Sequence, residues 1–213
     1  MTIRTIEELF DGLSSDLAWR RKELSETKAI LDSAIGRRVD ALIRSAVPLL
    51  YAHWEGFVKY AASAYLEFVA ARRLRLDELA ANFVALSLRP RLLEAARRDD
   101  AGLQTEIVTV LIGGRSARSA LAFRDGVDTK SNLSFAVLTN IMNSLGLSPD
   151  LFATKQKLID ERLLFRRNNI AHGKYLAISA AEYDELHHQV LEMLETFRNL
   201  IDNAASASLY RAA

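Results

Sequence analysis

No cysteine occurs in the 213 residues, which excludes disulfide frameworks, thiolate zinc sites and a cysteine nucleophile. Histidine is scarce too: His53, His172, His187 and His188 are the full set, and none forms an H-E-x-x-H spacing, so a zincin is excluded. His187 and His188 are chain neighbours on a predicted helix and point different ways, a poor start for a metal site. No metal or other cofactor is expected. An excess of charge is missing as well. Lys and Arg number 28 against 27 Asp and Glu, for a net charge of +1, so any contact with a polyanion must come from a local basic patch. Apolar runs are broken by charge well before the roughly 18 residues that a membrane span needs. The first residues, Met1 to Glu8, are acidic and helical in character rather than leader-like. A cytoplasmic protein without membrane contact is therefore expected.

What is present is a chain that is 50% hydrophobic, enough for one well-buried core. Apolar residues recur with periods near 3.6, and period-two alternation is lacking, so the fold class is all-α. Thr5-Ile6-Glu7-Glu8 has the capping-box pattern and predicts a helix running to about Ile35, stopped by Gly36. A long helix follows, carrying Leu42, Ile43, Leu50, Trp54, Phe57, Tyr65 and Phe68 on a broad apolar face, with Pro48 as a kink or a new start. The basic run Arg72-Arg73-Leu74-Arg75 suits its C-terminal dipole.

The middle of the chain is less regular. Asp77 predicts the cap of a short helix to Leu86, Pro90 the start of another, and Ile107 to Ile112 a third apolar stretch closed by Gly113-Gly114. The polar segment 115–131, with Arg115, Arg118, Arg124 and Lys130 against Asp125 and Asp128, reads as a mobile loop. Helical pattern resumes over Asn132 to Leu145, with Gly146 as its stop. Ser148-Pro149 reads as cap plus first position of the next helix. Ser179-Ala180-Ala181-Glu182 is a second capping box, opening a last helix with a stripe from Tyr183 to Ile201. A single domain over 1–203 is expected, followed by a frayed Ala/Ser-rich tail over 204–213.

Between the penultimate and last predicted helices stands Arg167-Asn168-Asn169-Ile170-Ala171-His172-Gly173. An arginine, four residues and a histidine, with a polar residue directly after the arginine, resembles the R-x(4–6)-H signature of HEPN ribonucleases. The upstream string Tyr51-Ala52-His53-Trp54-Glu55-Gly56-Phe57-Val58-Lys59 is similar to the prokaryotic, RiboL-PSP-like RNase branch linked to toxin and defence systems. So is Ser131-Asn132-Leu133, followed by a helix ending in Leu145-Gly146-Leu147. The resemblance spans the chain from about residue 39 to 201. It implies a HEPN-type helical bundle with additional short helices, and a metal-independent endoribonuclease acting as a toxin or phage-defence effector. The partners it implies are RNA, a second copy of the chain, and an antitoxin or defence-system protein.

The residue types suit that chemistry. RNA carries its own nucleophile, the 2′-OH. Cleavage requires removal of that proton, protonation of the leaving 5′-oxygen and stabilisation of charge on the phosphorane. An imidazole can serve as acid or base near neutral pH. A guanidinium stays charged and grips two phosphate oxygens at once. His172 is thus assigned as base or acid, Arg167 as phosphate clamp, and Asn168 as the group that orients phosphate or imidazole. Arg166 either lines the RNA groove or forms a surface ion pair. Lys174 either touches backbone phosphate or is solvated. The resemblance places Glu55 near the cleft, orienting Arg167. Tyr175 departs from the H-x-Y pattern of some HEPN toxins by one residue, so control through that tyrosine is not implied.

On a continuous helix, residues five apart lie about 140° apart around the axis, so Arg167 and His172 do not share a face. Gly173 is expected to end the helix near His172. The family's dimerisation implies a composite site in which Arg167 of one copy serves His172 of the other. The implied products are a 2′,3′-cyclic phosphate and a 5′-hydroxyl. The alternatives are a HEPN domain that binds RNA or a nucleotide without cutting or acts as a dimerising partner module, and a purely structural bundle.

Overall fold

The computed structural model describes residues 2–121, 127–129 and 132–212. The chain is all-helical; among the described residues the only β pairings are isolated bridges, Arg75 with Arg118 and Leu79 with Arg211. Helix α1 (Ile6–Asp32) begins at the capping box. Glu8 N donates to Thr5 Oγ1 at 3.1 Å and Thr5 N donates to Glu8 Oε2 at 3.0 Å. Leu9, Leu13, Leu17, Leu24 and Leu31 form its buried stripe. Gly36, at φ 66°, turns the chain into α2 (Arg37–Ala71). This helix is 35 residues long and passes through Pro48 without a break. It is the axis of the molecule: Ile43, Val47, Leu50, Tyr51, Trp54, Phe57, Ala61 and Tyr65 are all buried along it. Against it pack α1 and the last helix, α8 (Ala180–Ser206). The second capping box opens α8 as the spacing predicts, with Glu182 N donating to Ser179 Oγ. Trp54, Phe152 and Phe197 form one aromatic cluster, with ring centroids 5.7 to 6.3 Å apart.

Several expectations change. Asp77 lies in a short 3-10 turn (Leu76–Glu78), and one helix, α3 (Ala81–Arg98), runs straight through Pro90. Pro90 is on an exposed face, so the carbonyl that loses its partner can turn to water. Helix α4 (Ala101–Gly113) folds back on α3, capped by Asp100, which accepts from the amides of Gly102 and Leu103. In the expected mobile loop, 115–120 is tied down. Leu76 N donates to the Ala117 carbonyl, Asp77 N to that of Arg115, Ser119 N to that of Leu74, and Ala120 N to Ser87 Oγ. The rest of that loop, including Arg124, Asp125, Lys130 and Ser131, lies largely outside the described residues.

The tail from Ala204 does not fray. Ala204 and Ala205 are buried, Tyr210 stacks edge-on against Phe68 at 5.7 Å, and the Tyr210 carbonyl accepts from Ala80 N at 2.9 Å. Composition misleads here because a single aromatic residue anchors an otherwise small-residue segment. Helix α5 (Phe135–Leu145) starts at Ser134, and Gly146 ends it at φ 72°. After Pro149, α6 (Asp150–Ala153) is only one turn. Among the described residues no helix is long and apolar enough to cross a membrane.

A polar seam crosses the α1–α2 interface. Arg20 is buried and paired with Asp16 at 2.6 Å, and its guanidinium lies 4.6 Å from the Trp19 ring centroid. Gly56 makes room for it, since a Cβ there would meet Arg20 Nη1 at 2.8 Å. Next to it His53 is buried against Trp19, its Nε2 3.0 Å from Glu23 Oε2 but without the alignment of a hydrogen bond. Burial outweighs the Glu23 carboxylate and lowers the His53 pKa below its ordinary 6.5; burial also lowers that of His187 on α8.

The folded chain therefore holds these imidazoles neutral where the unfolded chain binds protons. Stability is complete above the unfolded value and is lost as pH falls through the lowered one. The unfolding free energy in urea is expected to decrease between about pH 7 and pH 5, with a shallower slope in His53→Gln; an identical slope would remove His53 as the source. Tyr210→Ala is expected to cost about 3 kcal/mol in the same measurement, against none for a frayed tail.

Candidate active site

The segment leading to the arginine–histidine pair departs from α-helical geometry. Residues Leu158–Phe165 are π-helical, and regular α-helix returns in α7 (Arg166–Ala171). Such segments are uncommon and concentrate at functional sites. The π-helical stretch buries Leu158, Ile159 and Leu163 while sending its polar residues to neighbouring elements. Asp160 Oδ1 accepts from Phe135 N at 2.7 Å, at the start of α5. Arg162 meets Glu185 of α8 in a two-point ion pair, both contacts 2.9 Å.

Arg166 continues this bracing. Its Nη2 donates to Glu182 Oε1 at 2.7 Å, in the first turn of α8. The Ser179 backbone amide, and after it Arg166, hold the Glu182 carboxyl down at about 2. Of the two readings of Arg166, the ion pair is what the geometry contains.

Arg167 points to the other side, toward α2 and the segment before α5. Its guanidinium lies over the Tyr51 ring, 4.8 Å from the centroid. Its Nη1 donates to Asn168 Oδ1 at 2.7 Å and more weakly to Asn132 Oδ1 at 3.4 Å. Asn168 Nδ2 donates to the same Asn132 oxygen at 3.3 Å. These partners are neutral: among the described residues Arg167 has no carboxylate within ion-pair distance. Arg20, Arg162, Arg166 and Arg198 all have one.

Tyr51 is the support. It is fully buried in α2, and its hydroxyl accepts from Leu133 N at 2.6 Å, fixing the chain beside Asn132. Burial pushes the Tyr51 phenol up to about 12, and the Glu55 carboxylate beside it adds to that rise. The phenol thus keeps its proton at neutral pH. Glu55, one turn on along α2, is half-buried and stands beside the Tyr51 phenol. Asn168 orients Arg167 together with Asn132. Neither Tyr51 nor Asn132 was singled out by spacing, although Tyr51 and Glu55 stand four apart on one face of a single motif.

His172 caps α7, with φ −89° and ψ 16°, and Gly173 follows at φ 74°. The helix ends where its glycine predicts. The imidazole is exposed and makes no hydrogen bond with any described residue, Arg167 included. Lys174 is exposed; its carbonyl accepts from Arg44 Nη2 at 3.1 Å. His53 is in the α1–α2 seam, away from this group. Among the described residues no three histidine or carboxylate side chains converge to hold a metal ion.

The RiboL-PSP-HEPN family matches residues 15–203, from within α1 to near the end of α8. The chain belongs to the RiboL-PSP-HEPN family. Among curated proteins and among solved structures, nothing matches the chain. HEPN membership agrees with the all-helical fold and suggests a nuclease or RNA-binding role. HEPN domains often bind RNA and dimerise.

The support for Arg167 is directly testable. Tyr51→Phe leaves the buried Leu133 amide without its acceptor, at a cost of about 1 to 3 kcal/mol. Hydrogen exchange at the Leu133 amide should speed up accordingly, and protection equal to that of the native protein would show that the hydroxyl holds nothing.

Proposed function

We propose that this HEPN domain is a metal-independent endoribonuclease that cleaves RNA through attack of the 2′-OH, and that it serves as a toxin or phage-defence effector. One observation carries the reading: a half-buried guanidinium, presented on an aromatic ring and two amide side chains, has no carboxylate partner among the described residues. A cation held in place but not neutralised is suited to an anion that arrives from outside. Phosphate fits its fork through two parallel hydrogen bonds.

The imidazole of His172 takes the proton from the 2′-OH as the 2′-oxygen bonds to phosphorus. The phosphorus–O5′ bond breaks, and the 5′-oxygen receives a proton. Charge growing on the non-bridging oxygens is met by Arg167, with Asn168 and Asn132 holding the guanidinium steady. One imidazole cannot act as base and acid in the same step. Two copies facing each other across a two-fold axis bring two His172 side chains and two Arg167 side chains to one cleft, so we assign a homodimer with a composite site. A geometric feature agrees with this. Within one chain the exposed His172 has no orienting partner among the described residues, and an RNA-filled interface would supply one.

That same unoriented imidazole favours one second reading, an RNA-binding domain that does not cut. Incubating the protein with mixed RNA in EDTA separates the two. Cleavage should persist in EDTA and fall by roughly 100-fold or more in His172→Ala and in Arg167→Ala. RNA binding without cleavage identifies the second reading, and an RNA left both unbound and uncut overturns both. Growth arrest on expression, relieved by the same substitutions, marks an effector.

A further inference from the structure

Three residues past His172 the chain presents an aromatic ring that the core does not need. Tyr175 is 73% exposed. Its position is nevertheless closely determined. Lys174 N donates to the Asn169 carbonyl at 2.9 Å and Gly173 N to that of Ile170 at 3.0 Å, the paired bonds of a Schellman turn around the left-handed Gly173. Arg44 of α2 then grips the end of that turn. Its Nη2 donates to the Lys174 carbonyl at 3.1 Å, and its guanidinium stands 5.3 Å from the Tyr175 ring centroid. The ring is therefore braced from α2 while the rest of it faces solvent. It rims a cleft of about 330 Å³ whose other walls include Asp40, Ile178 and Glu182. Among the described residues Arg44, like Arg167, has no carboxylate within ion-pair distance.

An exposed aromatic usually sits loose or is covered by packing. One that is solvent-facing yet fixed on a cation is suited to stacking. A nucleobase offers the matching flat surface, and base–aromatic stacking tolerates any base. The distance along the chain fits as well, since the three residues from His172 to Tyr175 span no more than about 11 Å. A strand whose 2′-OH meets His172 would bring a neighbouring base over Tyr175, with Lys174 and Arg44 near its backbone. Bases inside a duplex have no free face to offer.

We infer that Tyr175, braced by Arg44, is a stacking platform for an unpaired nucleobase next to the scissile phosphate, and that it confines this domain to single-stranded RNA. The inference rests on the ribonuclease reading for the position of the scissile bond at His172, but its test does not require cleavage. The probe is a fluorescein-labelled 2′-O-methyl oligouridine, which has no 2′-OH to react, offered single-stranded or annealed to its complement. Anisotropy should show the native protein preferring the single strand. Tyr175→Ala should weaken that binding by roughly five- to 150-fold, Tyr175→Phe by no more than about twofold, and duplex binding should not respond to either. On a cleavable single strand Tyr175→Ala should raise KM and leave kcat in place.

Equal affinity of Tyr175→Ala and the native protein for the single strand overturns the platform while leaving the ribonuclease intact. Binding that depends on Tyr175 without any cleavage supports the platform and removes the ribonuclease. Binding lost only together with a change in the sedimenting species assigns the ring to a protein–protein contact and overturns the platform. A native protein that binds no RNA overturns both.

Discussion

The Tyr51 side chain is the interaction on which the arrangement around Arg167 depends. Its ring face carries the guanidinium, while its hydroxyl, at the far end of the same plane, anchors Leu133 and with it the neighbouring Asn132. Cation–ring attraction fixes the height of the arginine over α2. The amide oxygens of Asn132 and Asn168 fix its rotation. None of these neighbours is an ion, so the positive charge is localised without being cancelled. That distinction matters for anion binding: a carboxylate in place of the asparagines would steady the guanidinium just as well and occupy it.

The bundle is the means of holding Tyr51 still. α2 is buried along most of its length between α1 and α8, and the tyrosine belongs to the same buried face as Trp54 and Phe57. From the opposite side, α7 is braced by Arg166 on the α8 cap, one position before the arginine that points inward. Two adjacent arginines thus have opposite duties, and their chemistry differs only in what surrounds them. The basic side chain with a carboxylate is structural; its neighbour over the aromatic ring is available.

The parts of the fold legible in the sequence are those decided within a few residues. The Thr5–Glu8 and Ser179–Glu182 boxes, the left-handed glycines at 36, 146 and 173, and the apolar stripes of α1, α2 and α8 all follow from local geometry. Continuity of α3 through Pro90, the docking of Tyr210 on Phe68 and the hold of residues 74–77 on 115–119 depend on contacts between distant segments, which spacing alone does not encode. The candidate site divides in the same way. Arg167, Asn168 and His172 stand within one short stretch and are readable from it. Tyr51 and Asn132 become partners only when α2, the start of α5 and α7 meet. Glu55, expected near the cleft as a guide of Arg167, is half-buried beside the Tyr51 phenol whose ring carries the arginine.

The π-helical stretch before α7 gives the chain a reserve of length at this point. Each bond in Leu158–Phe165 spans five residues rather than four, so the segment carries more backbone per turn than an ordinary helix. In an ordinary helix a lost residue turns everything downstream by about 100° around the axis. Here the wide turns can tighten and take up much of that change, which leaves Arg166 toward the carboxylate and Arg167 toward the ring. A homologous chain one residue shorter between Lys157 and Arg166 could thus aim the same pair with a regular helix.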